Sequence, residues 1–316
     1  MSETAKREAE IKRNPHPDFK TVEGSRPDWD RSQKFNYKKT ADPSWAFGDG
    51  ANSLAAEEAP PPAQEHVSID PYEDGRPAPF NYKLLISAIV PRPIGFVSTR
   101  SGTGAEGGKE TFNLAPFSYF NVINHDPPLF ALGVASPLES SKAKDTLRNL
   151  TATGECVVSI ISEHFVEAAN ATSVDAPAGV SEWEISGLTP AFSSTSTTAG
   201  DSITARVPRV AEAVFSVECR LESAPREFES RATPGKKTGC LVVLEGTRFW
   251  VRGDALNADR SQVAPEVLRP IARVGGITYA RVTEALELPR PSFEKDVGGM
   301  EGYEKLKGRS KKSKKE

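Results

Sequence analysis

The chain has 316 residues, of which 37% are apolar, with 25 Pro and 24 Gly, so a folded core coexists with much irregular polar chain. Its 40 Lys and Arg against 43 Asp and Glu leave a formal charge of -3, which excludes a strongly basic polyanion binder. Three scattered cysteines (Cys156, Cys219, Cys240) without a CxxC exclude a disulfide framework, and four separated histidines (His16, His66, His125, His164) offer no metal-ligand spacing.

From the N-terminus, residues 1–75 are polar, rich in Pro, Asp and Lys, and broken by Glu57-Glu-Ala-Pro-Pro-Pro-Ala-Gln-Glu65. Such a segment buries too little apolar surface to offset its ordering entropy and reads as an arm or linker, partly disordered. Its aromatic residues, Trp29 and Trp45 among them, suggest that part of it lies against the body. The first residues lack an apolar h-region and carry Glu3, Glu8 and Glu10, which argues against secretory and mitochondrial leaders. No run approaches the roughly 18 apolar residues of a membrane span, so the expectation is a cytoplasmic protein without membrane partners.

Residues 76–293 carry the strand-like runs. Ile94–Ser98, Lys109–Asn113, Leu129–Val134 and Cys156–Ile161 come first; Arg209–Leu221, Cys240–Val251 and Ile277–Val282 come later. Their β-branched and aromatic residues, bounded by Gly, Pro, Asn and Asp, predict strands of an antiparallel sheet or barrel. Short helices are expected at Asn81–Ile89, Ala143–Ala152 and Glu163–Asn170. The absence of βαβ alternation disfavours a doubly wound sheet. Residues 294–316 form a charged tail. Within it Lys305–Glu316 holds seven Lys or Arg against one Glu, a net +6 that leaves the rest near -9. A solvated tail is the plain reading. Nuclear import or contact with an anionic surface is the alternative, and nucleic-acid binding is disfavoured because no aromatics alternate with the lysines.

Gly102-Thr-Gly104-Ala-Glu-Gly107 satisfies GxGxxG, but that fingerprint needs a helix to begin inside it. The residues after Gly107 are strand-like and run into Pro116, so the glycines read as a hairpin loop. The neighbouring residues carry more chemistry. Asn113, Ser118, Ser140 and Ser141 offer neutral donors, and Lys142, Lys144 and Arg148 offer cations, enough to hold a phosphate without a Walker loop. Each also has a structural reading: Ser118 as a turn cap, the lysines as a solvated helix face, Phe117, Tyr119 and Phe120 as core. No Ser–His–Asp, Cys–His or GxSxG set appears, and His125 reads as a turn residue before Asp126-Pro127-Pro128.

In order, Pro91-Arg-Pro-Ile-Gly-Phe-Val-Ser-Thr99, Asn113-Leu-Ala-Pro-Phe-Ser-Tyr-Phe120, Asp126-Pro-Pro128, Lys144-Asp-Thr-Leu-Arg-Asn149 and Thr153-Gly-Glu-Cys156 resemble the flavin reductase-like family. Pro270-Ile-Ala-Arg-Val-Gly-Gly-Ile-Thr-Tyr279 is similar to that family's closing motif. The resemblance spans Asn81 to Arg281 and implies a mainly β fold with a few short helices. That fold is an FMN-binding split β-barrel, here with an extended N-terminal arm and a basic C-terminal tail. It also implies a homodimer and noncovalent FMN, with FAD as an alternative. Ser98 and Thr99 are expected near the ring or ribityl chain. Asn113, Ala115 and Ser118 are expected to contact the flavin, with Tyr119 and Phe120 nearby. Ser141 and Lys144 fall where the family gathers phosphate contacts, although Ser140 and Lys142 offer other registers. Asp145 and Thr146 complete that turn, and Tyr279 approaches from the barrel end. No catalytic side chain and no metal are implied. The expected activity is that of an NAD(P)H-dependent flavin reductase, passing electrons to a second flavin, a partner oxygenase or dioxygen. A flavin carrier or sensor without nicotinamide turnover is the alternative. An oxygenase with its own substrate is a third reading, with Phe117, Tyr119, Phe120 and Trp250 as pocket rather than core.

Overall fold

A computed structural model describes residues 18–57, 65–102, 110–139, 143–177, 180–192 and 207–313. The chain divides into two compact units, one of Pro71–Val282 with the residues up to Arg31, the other of Ser32–Asp70 with Thr283–Glu316.

The first unit is built on an eight-stranded antiparallel sheet. Its strands are β1 (Gly95–Arg100), β2 (Phe112–Phe117), β3 (Phe120–His125), β4 (Pro128–Val134), β5 (Glu155–Ile160), β6 (Phe215–Leu221), β7 (Arg226–Glu229) and β8 (Lys237–Val251). The order is β2-β1-β5-β6-β8-β4-β3, with β7 paired alongside β8. The fold is mainly β, with the antiparallel strands that the sequence pattern predicts, curled as the family resemblance implies. β3 and β7 were not anticipated. In β3 both Val122 and Ile123 are exposed and a bulge falls between Val122 and Asn124, so no period-two pattern marks it. β8 is 15 residues long; it pairs with β4 over Cys240–Glu245 and with β6 over Leu244–Val251, and is bulged beside Gly246. A Cβ at Gly246 would stand 3.0 Å from Val217 and 3.2 Å from the Phe130 ring, so only glycine lets the strand pass.

The expected helices are α1 (Ala78–Ala88), α2 (Asp145–Thr153) and a 3-10 turn at Glu163–Phe165 running into α3 (Val166–Ala171). α2 ends at Gly154, whose φ of 72° supplies the left-handed cap. A further short helix, α4 (Glu182–Ser186), is not among the expected helices. The glycine-rich segment joins β1 to β2, with Arg100 opposite Phe112. Residues 103–109 lie outside the described residues; no helix begins at Glu110 or Thr111, which are irregular and lead straight into β2.

β1 and β5 are buried on both faces, so the sheet has a core on each side. On one, Val97, Leu132, Val158 and Leu244 close around Leu147 and Leu150 of α2. On the other, Phe96, Leu114 and Ile161 meet Phe165, Ala169 of α3 and Trp183 of α4. Each fully buried Leu contributes about 1.5–3 kcal/mol. All three cysteines are free, buried and on strands. Two more short strands, β9 (Ile271–Arg273) and β10 (Tyr279–Arg281), form a hairpin. β10 is anchored by Arg281, whose Nε lies 2.8 Å from the buried Glu163 carboxylate and whose guanidinium covers the Trp29 ring at 4.3 Å. Trp29 of the N-terminal segment therefore does rest on the body.

In the second unit, Asn36–Lys38 pairs in parallel with Glu284–Leu286, and Lys38 meets Glu284 at 2.9 Å. The tail is helical over Gly299–Ser313, which a run of like charges does not foretell.

Leu244 is fully buried between β4 and β6. Leu244→Ala is expected to lower the unfolding free energy by about 2–5 kcal/mol, read as a lower urea midpoint at an unchanged m value.

Candidate functional site

β2 and β3 are consecutive in the chain yet form the two edges of the sheet, so Ser118 and Tyr119 span the seam between them. Gly133 of β4 comes up against this link: its N–H donates to the Tyr119 carbonyl at 2.7 Å. A Cβ at Gly133 would lie 2.9 Å from that of Tyr119, so glycine sets how closely β4 approaches the seam. Beside it lies a cavity of about 830 Å3.

One end of the cavity is the start of α2. The amides of Leu147 and Arg148 bond back to the Lys144 carbonyl at 2.9 and 3.1 Å, which leaves those of Asp145 and Thr146 as the helix's unsatisfied donors. The Lys144 amide donates to Ser136 Oγ at 3.1 Å, fixing the helix start to the chain leaving β4. Arg148 is neutralised by Asp145 and donates to the Ala143 carbonyl at 2.5 Å. The Lys144 ammonium has no ion pair among the described residues. Buried Asn113 donates through Nδ2 to Thr146 Oγ1 at 2.9 Å, which leaves its amide oxygen and the threonine hydroxyl proton for other partners. Free amides, a hydroxyl and a cation are the components of an oxyanion site.

A second part of the wall carries Arg92, Arg273, Gly276, Tyr82 and Glu182. Glu182 opens α4 and is 8% exposed; its carboxylate accepts from the Leu114 amide at 3.4 Å and has no cationic partner among the described residues. Arg273 lies over the Tyr279 ring at 4.3 Å, and the Tyr279 hydroxyl donates to Asn170 Oδ1 at 2.8 Å. Burial pushes the Tyr279 phenol above its ordinary range, against the opposing pull of Arg273.

Of the residues singled out from the sequence, Asn113, Ala115, Ser118 and Tyr119 line the cavity, as do Lys144, Asp145 and Thr146. Ser98 and Thr99 do not. β1 is covered on both faces, and Thr99 Oγ1 is taken by Asn149 Nδ2 at 3.0 Å. Phe120 is core, its ring stacked on Phe130 at 5.9 Å. Tyr279 stands behind Arg273 rather than in the wall. Ser141 lies outside the described residues, as do Ser140 and Lys142. His125 ends β3, exposed and away from the cavity. Of the aromatics proposed as pocket, Phe117 and Tyr119 reach the cavity, whereas Trp250 is on β8, donating to Glu218 at 2.7 Å. The sequence reading missed Arg92, Arg273, Glu182 and Ser136. The two arginines sit inside quoted motifs and were overlooked as bystanders to their prolines and glycines. Glu182 carries no local signal, because only the packing of α4 on β2 brings it to the wall.

Residues 87–265 match the flavin reductase like domain. YwrF of Bacillus subtilis, an uncharacterized protein, is 33% identical over 211 residues, which cover 67% of this chain and 93% of that protein. Nitrilotriacetate monooxygenase component B from Bacillus cereus is 34% identical, covering 71% of this chain and 98% of its own, with a TM-score of 0.59. The 2-nitrobenzoate 2-nitroreductase NbaA of Pseudomonas fluorescens is 26% identical, covering 72% and 97%, with a TM-score of 0.56.

Glu182→Gln keeps an acceptor for the Leu114 amide and removes a buried charge that lacks a cationic neighbour. Without added ligand, the variant is expected to melt at the same temperature as the parent or higher, by up to about 1 kcal/mol of stability in urea.

Proposed function

The chain belongs to the flavin reductase-like family, and on that basis we propose that it binds FMN in the seam cavity. In this reading it acts as an NAD(P)H-dependent flavin reductase, delivering electrons to a second flavin, a partner oxygenase or dioxygen. The observation that carries the reading is one cavity, about 830 Å3, uniting the Asn113–Tyr119 backbone with the donor-rich start of α2. Its volume falls within the roughly 300–1,000 Å3 of ordinary cofactor sites.

The residues fit the group. Lys144, the free amides of Asp145 and Thr146, and the Thr146 hydroxyl suit a terminal phosphate. Asn113, Ala115 and Ser118 present an amide oxygen, main-chain groups and a hydroxyl to the edge of a flat ring, with Phe117 and Tyr119 supplying aromatic surface. When bound, the flavin supplies the electron relay between a dihydronicotinamide and the acceptor. The chain's own residues bind, orient and shield from water, and none is required to move a proton. FMN rather than FAD is the choice that the motif resemblance supports. A partner oxygenase draws support from the likeness to a monooxygenase component B. A cytoplasmic homodimer belongs to the same proposal and rests on the resemblance; no helix among the described residues is long and apolar enough to cross a membrane.

The test is an anaerobic absorption spectrum of the FMN-loaded protein before and after NADH or NADPH. Rapid bleaching of the oxidised spectrum is expected. A flavin that bleaches with dithionite but with neither nucleotide would favour the carrier or sensor, and failure to bind FMN would remove the proposal. Lys144→Gln and Thr146→Ala are each expected to weaken FMN binding about tenfold or more in a fluorescence-quenching titration, the loss of one charge-assisted contact.

A further inference from the structure

The second part of the cavity wall has a chemistry of its own. Arg92 and Arg273 are backbone-paired, each amide donating to the other's carbonyl at 2.9 Å. The two terminal nitrogens of Arg92 are spent on the scaffold, while its buried Nε has no partner among the described residues. The terminal nitrogens donate to the carbonyls of Ile86 at 2.6 Å, Ile89 at 2.7 Å and Val274 at 3.0 Å, tying the end of α1 to the chain leaving β9. Arg273 is held differently. One nitrogen donates to the Gly276 carbonyl at 2.9 Å, and the guanidinium plane is supported by the Tyr279 ring. Its remaining donors have no partner among the described residues, and no carboxylate there forms an ion pair with it. Arg273 is partly buried in the cavity wall. A fixed, planar, uncompensated cation in such a place is preorganised to pair its fork of donors with two oxygens of a carboxylate or a phosphate.

Different elements bring this cation and the start of α2 to the cavity wall. Asn113, which bonds Thr146, pairs with Thr99 of β1, whereas Arg92 lies seven residues earlier, beyond the Gly95–Phe117 pair. Lys144 enters the wall from the start of α2 and Arg273 from the end of β9.

We propose that Arg273 is the recognition group for an organic oxyanion on the second reactant, the pyrophosphate of a dihydronicotinamide dinucleotide or the carboxylate of an aromatic acid. This rests on the reading of the cavity as a flavin site. Tyr279 and Gly276 act through Arg273 as positioning residues, which explains why Tyr279 stands behind the wall and not in it. If Arg273 served only to close the Gly275-Gly276 turn, a single donor would suffice and the ligand's charge would be immaterial.

The experiment uses full-length FMN-loaded protein and the variants Arg273→Gln and Arg273→Lys. Anaerobic flavin reduction is followed with NADH and NADPH, and with N-benzyl-1,4-dihydronicotinamide, which has the same reacting ring and no phosphate. For Arg273→Gln the half-saturating dinucleotide concentration is expected to rise about tenfold or more. Reduction by the benzyl compound and the FMN dissociation constant stay unchanged, and Arg273→Lys falls in between. ADP-ribose and benzoate are then tested as competitors in the parent protein. The one whose competition disappears in Arg273→Gln identifies the source of the oxyanion. Equal loss with charged and uncharged reductants overturns the proposal in favour of a structural role. Weakened FMN binding overturns it in favour of the flavin's own phosphate, and competition by neither compound overturns it as well. Should the parent retain no FMN, the proposed flavin function fails by itself. Thermal shifts by ADP-ribose and benzoate, present in the parent and lost in Arg273→Gln, still decide the role of Arg273.

Discussion

A sheet whose first and last strands are neighbours in the sequence has no freedom to lie flat. β2 and β3 stand at opposite edges of the seven-strand path, yet Ser118 and Tyr119 alone connect them. The three Cα steps from Phe117 to Phe120 reach at most about 10–11 Å, so the sheet must curl until its edges nearly meet. They meet without pairing, and the seam becomes the place where backbone, small side chains and a cavity coincide. Two glycines make the curl feasible. Gly133 admits the Tyr119 side chain, and Gly95 admits the Phe120 ring, which a Cβ there would approach to 2.9 Å. Closing the sheet nearly on itself also leaves few exposed edges, which limits strand-to-strand association.

The same curl explains the placement of α2. Its Leu147 and Leu150 fill the core on one face of the sheet, which fixes the helix axis. Fixing the axis fixes the N-terminus, and Asn113–Thr146 and Lys144–Ser136 bonds hold it at the seam. Hydrophobic packing thus aims a set of unsatisfied amides into the cavity, at no cost beyond burying two leucines that the core requires anyway.

Charge follows a consistent logic across the first unit. Buried Arg100 is answered by Glu110 at 3.0 Å and Glu155 at 3.3 Å, and buried Glu163 by Arg281 and Arg269. Buried Glu218 accepts from Trp250. At the cavity this compensation lapses: Glu182, Arg273 and Lys144 have no opposite charge beside them among the described residues. Buried or half-buried ionic groups left without a counter-charge in a cavity wall, as Glu182 and Arg273 are, mark where a ligand would complete the set.

Local sequence pattern was enough for the class of the fold, the approximate positions of most strands and helices, and much of the chain that lines the cavity. Burial periodicity, turn residues and the order of short motifs are local properties, and they survive without coordinates. Asn113, Ala115, Ser118, Lys144 and Thr146 were legible because they sit in those motifs. Packing between distant elements had to settle which side of each strand the motif residues face and which remote residues join them. Ser98 and Thr99 lie in a motif yet are sealed in a strand covered on both faces, and Tyr279 serves as a support rather than a wall. Glu182 and Arg273 enter through contacts between elements about 70 and 160 residues from β2, and no local pattern encodes such a meeting. The β3 strand escaped for a related reason: its bulge and its exposed Val122 and Ile123 make sense only once the seam is known to need an edge there.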